Sequence, residues 1–347
     1  MKITINKNIS FNKDSRPYIV AEISGNHNGS KKLFLEHIRE AHRNGADMVK
    51  IQTYEPDDIT IKNNKLNTKI KKGIWRGKNL WNLYNKVQTP FAWHADAFKL
   101  ANKLNILLFS TPFSTRALRF LEKFKPKIYK ISSFEITDFN LINEIAKTKK
   151  PIIISTGCSS FNEIKSALSI IEKHHKKIIL LHCVSGYPTP IEEANINSIK
   201  FLKKKFKNYY IGLSDHTRTI DTAIGSVSLG SKLIEKHFKI SEKIKSEDSK
   251  FSITGKELKI LKEHIVNIHK SLGTFKKNIQ KVEKNSRFFR RSIYSIKDIK
   301  KGEKFNKLNI GCFRPKLGLS ASEYYKVIGK KSKKNIDKFN PIKKNYL

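Results

Sequence analysis

The sequence predicts an α/β protein built as a (β/α)8 barrel followed by a small β-rich module. Three observations carry this prediction. Short β-branched runs alternate with amphipathic helical segments eight times in about 255 residues, the arithmetic of such a barrel. Each run finishes in polar or charged residues at its C-terminal end. Beyond about Thr274 the alternation stops and short strand-like pieces take over.

The runs lie at 18–23, 47–52, 106–110, 127–131, 151–155, 177–183, 209–214 and 232–238. Helical periodicity follows them at 31–44, 90–104, 115–124, 138–148, 160–174, 195–207, 219–230 and 255–272. A doubly wound open sheet is the rival arrangement. No GxGxxG follows the first run, which weakens a dinucleotide-binding version of it. The stretch 63–77, between the second and third runs, is a long polar insertion on the face where active sites form, and is expected to act as a lid. These readings divide the chain into a barrel at 1–274, a polar basic linker at 275–291 and a module at 292–347. The module carries strand-like pieces at 292–295 and 310–314 and turns at Lys301-Gly302 and Leu317-Gly318. It is small for independent stability and would gain by docking on the barrel or on a second subunit.

Composition narrows the function. The 347 residues include 70 Lys and Arg against 30 Asp and Glu, a formal net charge of +40. Only eleven of the basic residues are Arg, and the 59 Lys are scattered along the chain. A nucleic-acid binder would cluster its charge and favour Arg for bidentate readout, so nucleic acid is not the expected partner. No apolar stretch approaches a membrane span, and the N-terminus lacks the apolar core of a signal peptide. Cys158, Cys183 and Cys312 are far apart and form no CxxC pair, which fits a reducing cytoplasm better than a disulfide framework or a zinc ribbon.

In a barrel the C-terminal ends of the strands converge on one face, where catalysis occurs. Here they read Glu22, Lys50-Ile51-Gln52, Ser110-Thr111, Lys130-Ile131-Ser132-Ser133, Ser155-Thr156-Gly157, His182-Cys183, Ser214-Asp215-His216 and Glu235-Lys236-His237. Read alone, Ser110, Ser155 or Ser159 is compatible with a helix N-cap. Two strand-embedded lysines, Lys50 and Lys130, are not explained that way, because a buried Lys needs an anionic partner. With Thr111, Ser133, Ser155, Ser185 and Ser214 they form a ring of cations and hydroxyls suited to a small phosphate or carboxylate. No P-loop is present to mark a nucleoside triphosphate. His216 and His237 end adjacent strands and could hold a divalent metal with open positions, near Asp215, Glu235 and Asp248. Glu22 and Glu135 are candidates for a general base or for sugar binding; the structural alternative is a salt bridge to a ring lysine.

Several segments resemble the sialic acid synthase family: Ala21-Glu22-Ile23-Ser24-Gly25-Asn26-His27-Asn28-Gly29-Ser30, Lys50-Ile51-Gln52-Thr53, Tyr187-Pro188-Thr189-Pro190, Gly212-Leu213-Ser214-Asp215-His216-Thr217 and Ile234-Glu235-Lys236-His237-Phe238. The C-terminal residues resemble its antifreeze-like (SAF) module. Gly73-Ile74-Trp75, Thr89-Pro90-Phe91-Ala92-Trp93-His94 and Ser246-Glu247-Asp248-Ser249-Lys250-Phe251-Ser252 are most similar to its pseudaminic acid synthase branch. The resemblance implies condensation of phosphoenolpyruvate with an amino-sugar aldose, here 2,4-diacetamido-2,4,6-trideoxy-altrose; an N-acetylneuraminate or legionaminate synthase is the alternative. It implies Glu22, Lys130, Glu135 and Asp248 as catalytic. Lys50, Thr111, Lys130, Ser133, Ser155, Ser185 and Ser214 would bind phosphoenolpyruvate, and Gln52, Tyr187 and Arg314 the sugar. His216 and His237 would bind Mn, with Mg or Co as alternatives. It also implies a homodimer with a swapped SAF module. One departure is Ser185, where sialic acid synthases often carry Asn.

Overall fold

The computed structural model describes residues 2–63, 68–274 and 276–347. The chain forms two compact units, one up to Gly273 and one over Thr274–Leu347.

In the first unit eight parallel strands close into a barrel: β1 (Tyr18–Glu22), β2 (Met48–Thr53), β3 (Leu107–Pro112), β4 (Tyr129–Ile131), β5 (Ile152–Ser155), β6 (Ile178–Cys183), β7 (Tyr210–Asp215) and β8 (Leu233–His237). Strand β8 pairs with both β7 and β1, which completes the ring. The helices are α1 (Lys31–Arg43), α2 (Leu80–Val87), α3 (Phe91–Leu104), α4 (Thr115–Glu122), α5 (Phe139–Lys147), α6 (Phe161–Glu172), α7 (Ser198–Lys205), α8 (Asp221–Ser228) and α9 (Gly255–Ser271). Six start on side-chain caps: Ser30, Asn79, Ser114, Asp138, Ser160 and Thr254, the last two in capping boxes with Glu163 and Glu257. Ser110, Ser155 and Ser159 are therefore not caps. Helix α2 follows the insertion whose residues 64–67 lie outside the described residues.

Two apolar layers hold the barrel. The outer one packs alternate strand residues such as Ile19, Val49, Leu108, Ile154, Leu180 and Ile234 against the helices. The inner one gathers Val20, Met48, Leu107, Phe109, Ile153, Ile179, Leu181 and Leu233 at the N-terminal end of the barrel. A hairpin of Ile3–Thr4 and Ser10–Phe11 adds Ile3, Ile5, Ile9 and Phe11 to that inner layer. Because strand side chains alternate with a period of two, each inward row runs from apolar to polar along its strand: Val20 then Glu22, Met48 then Lys50, Ile153 then Ser155, Leu181 then Cys183, Leu233 then Glu235 and His237. Gly212 is needed within this packing, since a Cβ there would stand 2.3 Å from the Leu233 carbonyl oxygen.

The second unit has its own small core of Ile293, Ile299, Phe305, Ile310, Val327, Ile336 and Ile342, and an antiparallel pair of Ser292–Ser295 with Ile310–Phe313. Within 276–291 an exposed helical turn, Glu283–Ser286, interrupts what the composition reads as linker. No helix among the described residues is long and apolar enough to cross a membrane.

Candidate active site

The polar ends of the inward rows meet in one buried cluster. Lys50 and Lys130 are 3% and 2% exposed, and both reach a carboxylate the sequence reading left without a role, Glu235. Glu235 Oε1 stands 3.3 Å from Lys50 Nζ and 3.2 Å from Lys130 Nζ, and accepts from Ser214 Oγ at 3.4 Å. Lys50 Nζ also pairs with Glu22 Oε2 at 2.5 Å and lies 3.5 Å from Thr111 Oγ1. Glu22 thus makes the ion pair given above as its structural alternative. The signal for Glu235 was present in the sequence: it sits two residues before His237 on the same inward row.

Burial governs the protonation of these groups. It pushes Glu22 above the ordinary carboxylate range; Lys50 opposes this and Glu235 reinforces it. Glu235 faces the same burial, but Lys130 and Lys50 together hold it low. Lys50 is raised, because its two carboxylates outweigh burial. Lys130 is lowered by burial that Glu235 only partly offsets. The cluster holds two ammonium groups against one strongly ionised carboxylate and one that retains its proton more readily, leaving it receptive to an anion.

Hydroxyls complete the ring. Ser133 Oγ accepts from the Gly157 amide at 3.0 Å. A Cβ on Gly157 would fall 2.2 Å from Ser185 Oγ and 2.8 Å from Ser133 Oγ, so this glycine lets the two serines approach. Ser155 Oγ is buried without a hydrogen-bond partner, as are Glu22 Oε1, Glu235 Oε2 and His237 Nδ1. Unpartnered buried polar atoms gathered at one place mark a site built for a ligand. Gln52 lies beside Thr111 in the β2–β3 register.

His216 and His237 have ring centroids 5.3 Å apart. His216 Nδ1 lies 2.9 Å from the Val184 carbonyl, which only accepts, so this nitrogen donates and Nε2 is the one left for a ligand; burial pushes His216 down, but Cys183, the Val184 carbonyl and Asp215 together raise it. His237 is pushed well down by burial and by its cationic neighbours, which keeps its imidazole neutral. The orphan nitrogen of His237 and Nε2 of His216, which gives up any proton when it ligates, suit a divalent cation. Among the described residues no group of three or more His, Cys, Asp or Glu is arranged to hold a metal, so further ligands would be water or substrate. Lys236, on the outward face of β8, pairs with Asp215 at 2.8 Å and fixes the ends of the two strands that carry these histidines.

The remaining predicted residues lie around this centre. Glu135 accepts from Ser132 Oγ, and burial, opposed by Lys130, raises its carboxyl to about 7. Asp248 is buried, and its Oδ2 accepts from the Gly25 amide at 3.0 Å, which anchors the turn after β1. Tyr187 packs on His216 with centroids 4.4 Å apart. Arg314 is an exposed residue of the second unit.

A closed barrel carrying buried lysines, hydroxyls and a histidine pair at its strand ends defines an enzyme that handles a small anion. Residues 37–277 match the NeuB family and residues 290–345 the SAF domain. The chain is 41% identical over 337 residues, 97% of its length and 98% of the relative's, to the pseudaminic acid synthase of Campylobacter jejuni strain 81-176. It is 37% identical over 327 residues, 91% of its length and 96% of the relative's, to the N,N'-diacetyllegionaminic acid synthase of Campylobacter jejuni strain NCTC 11168. The crystal structure of N-acetylneuraminic acid synthetase from Leptospira borgpetersenii, in complex with citrate, superposes with a TM-score of 0.75 at 31% identity, covering 82% of this chain and 95% of that one. The chain belongs to the NeuB family, and it is a synthase of the transferase class.

Proposed function

We propose that the protein is a pseudaminic acid synthase, which condenses phosphoenolpyruvate with 2,4-diacetamido-2,4,6-trideoxy-altrose and water to give a nonulosonic acid and phosphate. The observation that carries this reading is the Lys50–Lys130–Glu235–Glu22 cluster, ringed by hydroxyls and adjoining the histidine pair. The lysines hold the phosphate and carboxylate of phosphoenolpyruvate, and Thr111, Ser133, Ser155, Ser185 and Ser214 orient them. His216 and His237 would hold Mn or another divalent ion, which supplies Lewis acidity toward the aldehyde oxygen. C3 of phosphoenolpyruvate attacks the aldehyde carbon and forms the new C–C bond, and positive character develops at C2. Water adds at C2 and passes one proton to a phosphate oxygen; cleavage of the bond between C2 and the phosphate ester oxygen then releases phosphate, and the remaining hydroxyl proton returns to Glu135 as the C2 ketone forms. Glu135, which titrates near neutrality, gives its proton to the developing alkoxide. Glu22 and Asp248 line the same pocket, while Gln52 and Tyr187 face the sugar. The partition at 274 and 291, a cytoplasmic location, and a homodimer whose swapped SAF domain brings Arg314 to the partner's pocket belong to the same reading.

The test is phosphate release from phosphoenolpyruvate with Mn, comparing the 6-deoxy diacetamido sugar with N-acetylmannosamine. Release with the deoxy sugar alone supports the assignment. Release with N-acetylmannosamine alone would move the protein to the sialic acid branch.

A further inference from the structure

The segment before α2 and the loop after β8 are clasped together at one residue. The Glu247 side chain is 10% exposed, and each of its carboxylate oxygens holds a lysine: Lys78 at 2.5 Å and Lys86 at 2.9 Å. Its backbone carbonyl accepts the Trp75 indole N–H at 3.2 Å. The Trp75 ring then packs on Tyr187 at 5.4 Å and on Phe251 at 6.1 Å. Those two rings pack in turn on His216 at 4.4 Å and His237 at 4.7 Å. Trp75 therefore stands one ring beyond the histidine pair, where the far end of an open hexose chain falls when its aldehyde lies at the histidines. The indole's single polar atom is already satisfied by Glu247, and the Tyr187 hydroxyl is engaged with Ser185. A sugar hydroxyl laid against this wall would lose its water and find no partner, whereas a methyl group would be buried favourably.

We infer that Trp75 is the specificity-determining wall for the deoxygenated C6 end of the acceptor, and that Glu247 is the positioning residue that holds it through Lys78 and Lys86. The inference rests on the proposed acceptor reaction. Apolar pockets disfavour an added hydroxyl by about 10²-fold. The wild type should then prefer the 6-deoxy sugar over its 6-hydroxy counterpart in kcat/KM by roughly that factor. Trp75→Ala should cut the preference about tenfold or more, through the KM for sugar, with the KM for phosphoenolpyruvate unchanged. Glu247→Gln should act in the same direction and more weakly, and the double variant should fall short of the sum of the two effects. The ratio for two sugars on one preparation is independent of the folded fraction, so partial unfolding of Trp75→Ala does not obscure it, and Glu247→Gln gives a second reading. A wild-type ratio retained in both variants would overturn the inference while leaving the acceptor assignment intact. Failure of the wild type to turn over either sugar would remove that assignment, and the inference with it.

Discussion

Replacing Glu235 by Gln keeps the shape of the side chain and removes the charge that both strand lysines share. Lys50 retains Glu22 at 2.5 Å, but Lys130 loses the one ion pair it makes among the described residues, at 3.2 Å and 2% exposure. Leaving a buried charge without its partner costs about 3–5 kcal/mol. In a barrel of this size each kcal/mol lowers the melting temperature by about 2–4 °C, so a drop of about 6–20 °C is expected. The deficit should shrink as pH rises toward 10.5, the ordinary lysine value, because the fold disfavours the charged form of Lys130 and the unfolded chain does not. Phosphoenolpyruvate or phosphate should restore more stability to the variant than to the wild type, since the site has lost a negative charge. Saturation at 100 times the dissociation constant contributes about 2.7 kcal/mol. Thermal unfolding followed by circular dichroism, with and without these anions, measures both effects. A variant that melts within 2 °C of the wild type, as the size rule above would place a cost near or below 1 kcal/mol, and gains no extra stability from anions would refute the view that Glu235 is the hub of the cluster.

Three further outcomes follow from the same geometry. His237→Ala should remain folded, bind less divalent metal by elemental analysis and lose activity by on the order of 10²–10³; a folded, fully active variant would dismiss the metal role. If Glu135 donates a proton, kcat declines as pH rises through about 7, and Glu135→Gln should erase that limb. The same carboxyl stays protonated in the fold between its ordinary 4.5 and about 7, so its contribution to stability is complete below 4.5 and lost as pH rises through 7; denaturant titrations across this window should show a flatter profile for Glu135→Gln. Asp47, at the opposite end of the barrel, binds Arg16, Lys262 and the Ile19 amide; Asp47→Ala should cost about 3 kcal/mol with kcat unchanged. Burial pushes Asp47 up, but Arg16 and Lys262 bring it below the ordinary 3.8, so this stability is present above 3.8 and lost as pH falls through the lower folded value.

The barrel was legible because each strand is covered on both faces. Runs such as Ile152–Ser155 and Ile178–Cys183 are continuous apolar stretches that end abruptly in polar residues, and strands form there. The hairpin at Ile3–Thr4 and Ser10–Phe11 was not legible. Two-residue strands carry no periodicity, and what defines them is burial against Tyr18 and Val20. At the site, the lysines and histidines stood out because such residues are costly inside a strand. The partnerships did not, because Glu235 meets Lys130 across the barrel interior, 105 positions away in the chain. Trp75 was visible only as part of a motif; its contacts with Tyr187 and Phe251 join three loops that no local pattern relates.

The net charge of +40 did not locate the anion site, and physical scale explains why. Surface ammonium groups are screened over about 8 Å in physiological salt and are free to move, so their fields average out near the surface. Lys50 and Lys130 differ from the surface lysines in being nearly inaccessible and held by carboxylates on neighbouring or opposed strands, and from the buried Lys236 in facing the barrel interior. Their positions are set before a ligand arrives, and in a weakly polarisable interior each contact with an anion is stronger than in water. Glu22 and Glu235 look like competitors for the substrate anion, yet they allow two cations to be buried side by side. Because Glu22 retains its proton more readily than Glu235, the cluster keeps a net positive character while unoccupied. Removing either carboxylate should therefore weaken the fold before it weakens the attraction for phosphate, whereas removing a lysine should do the reverse.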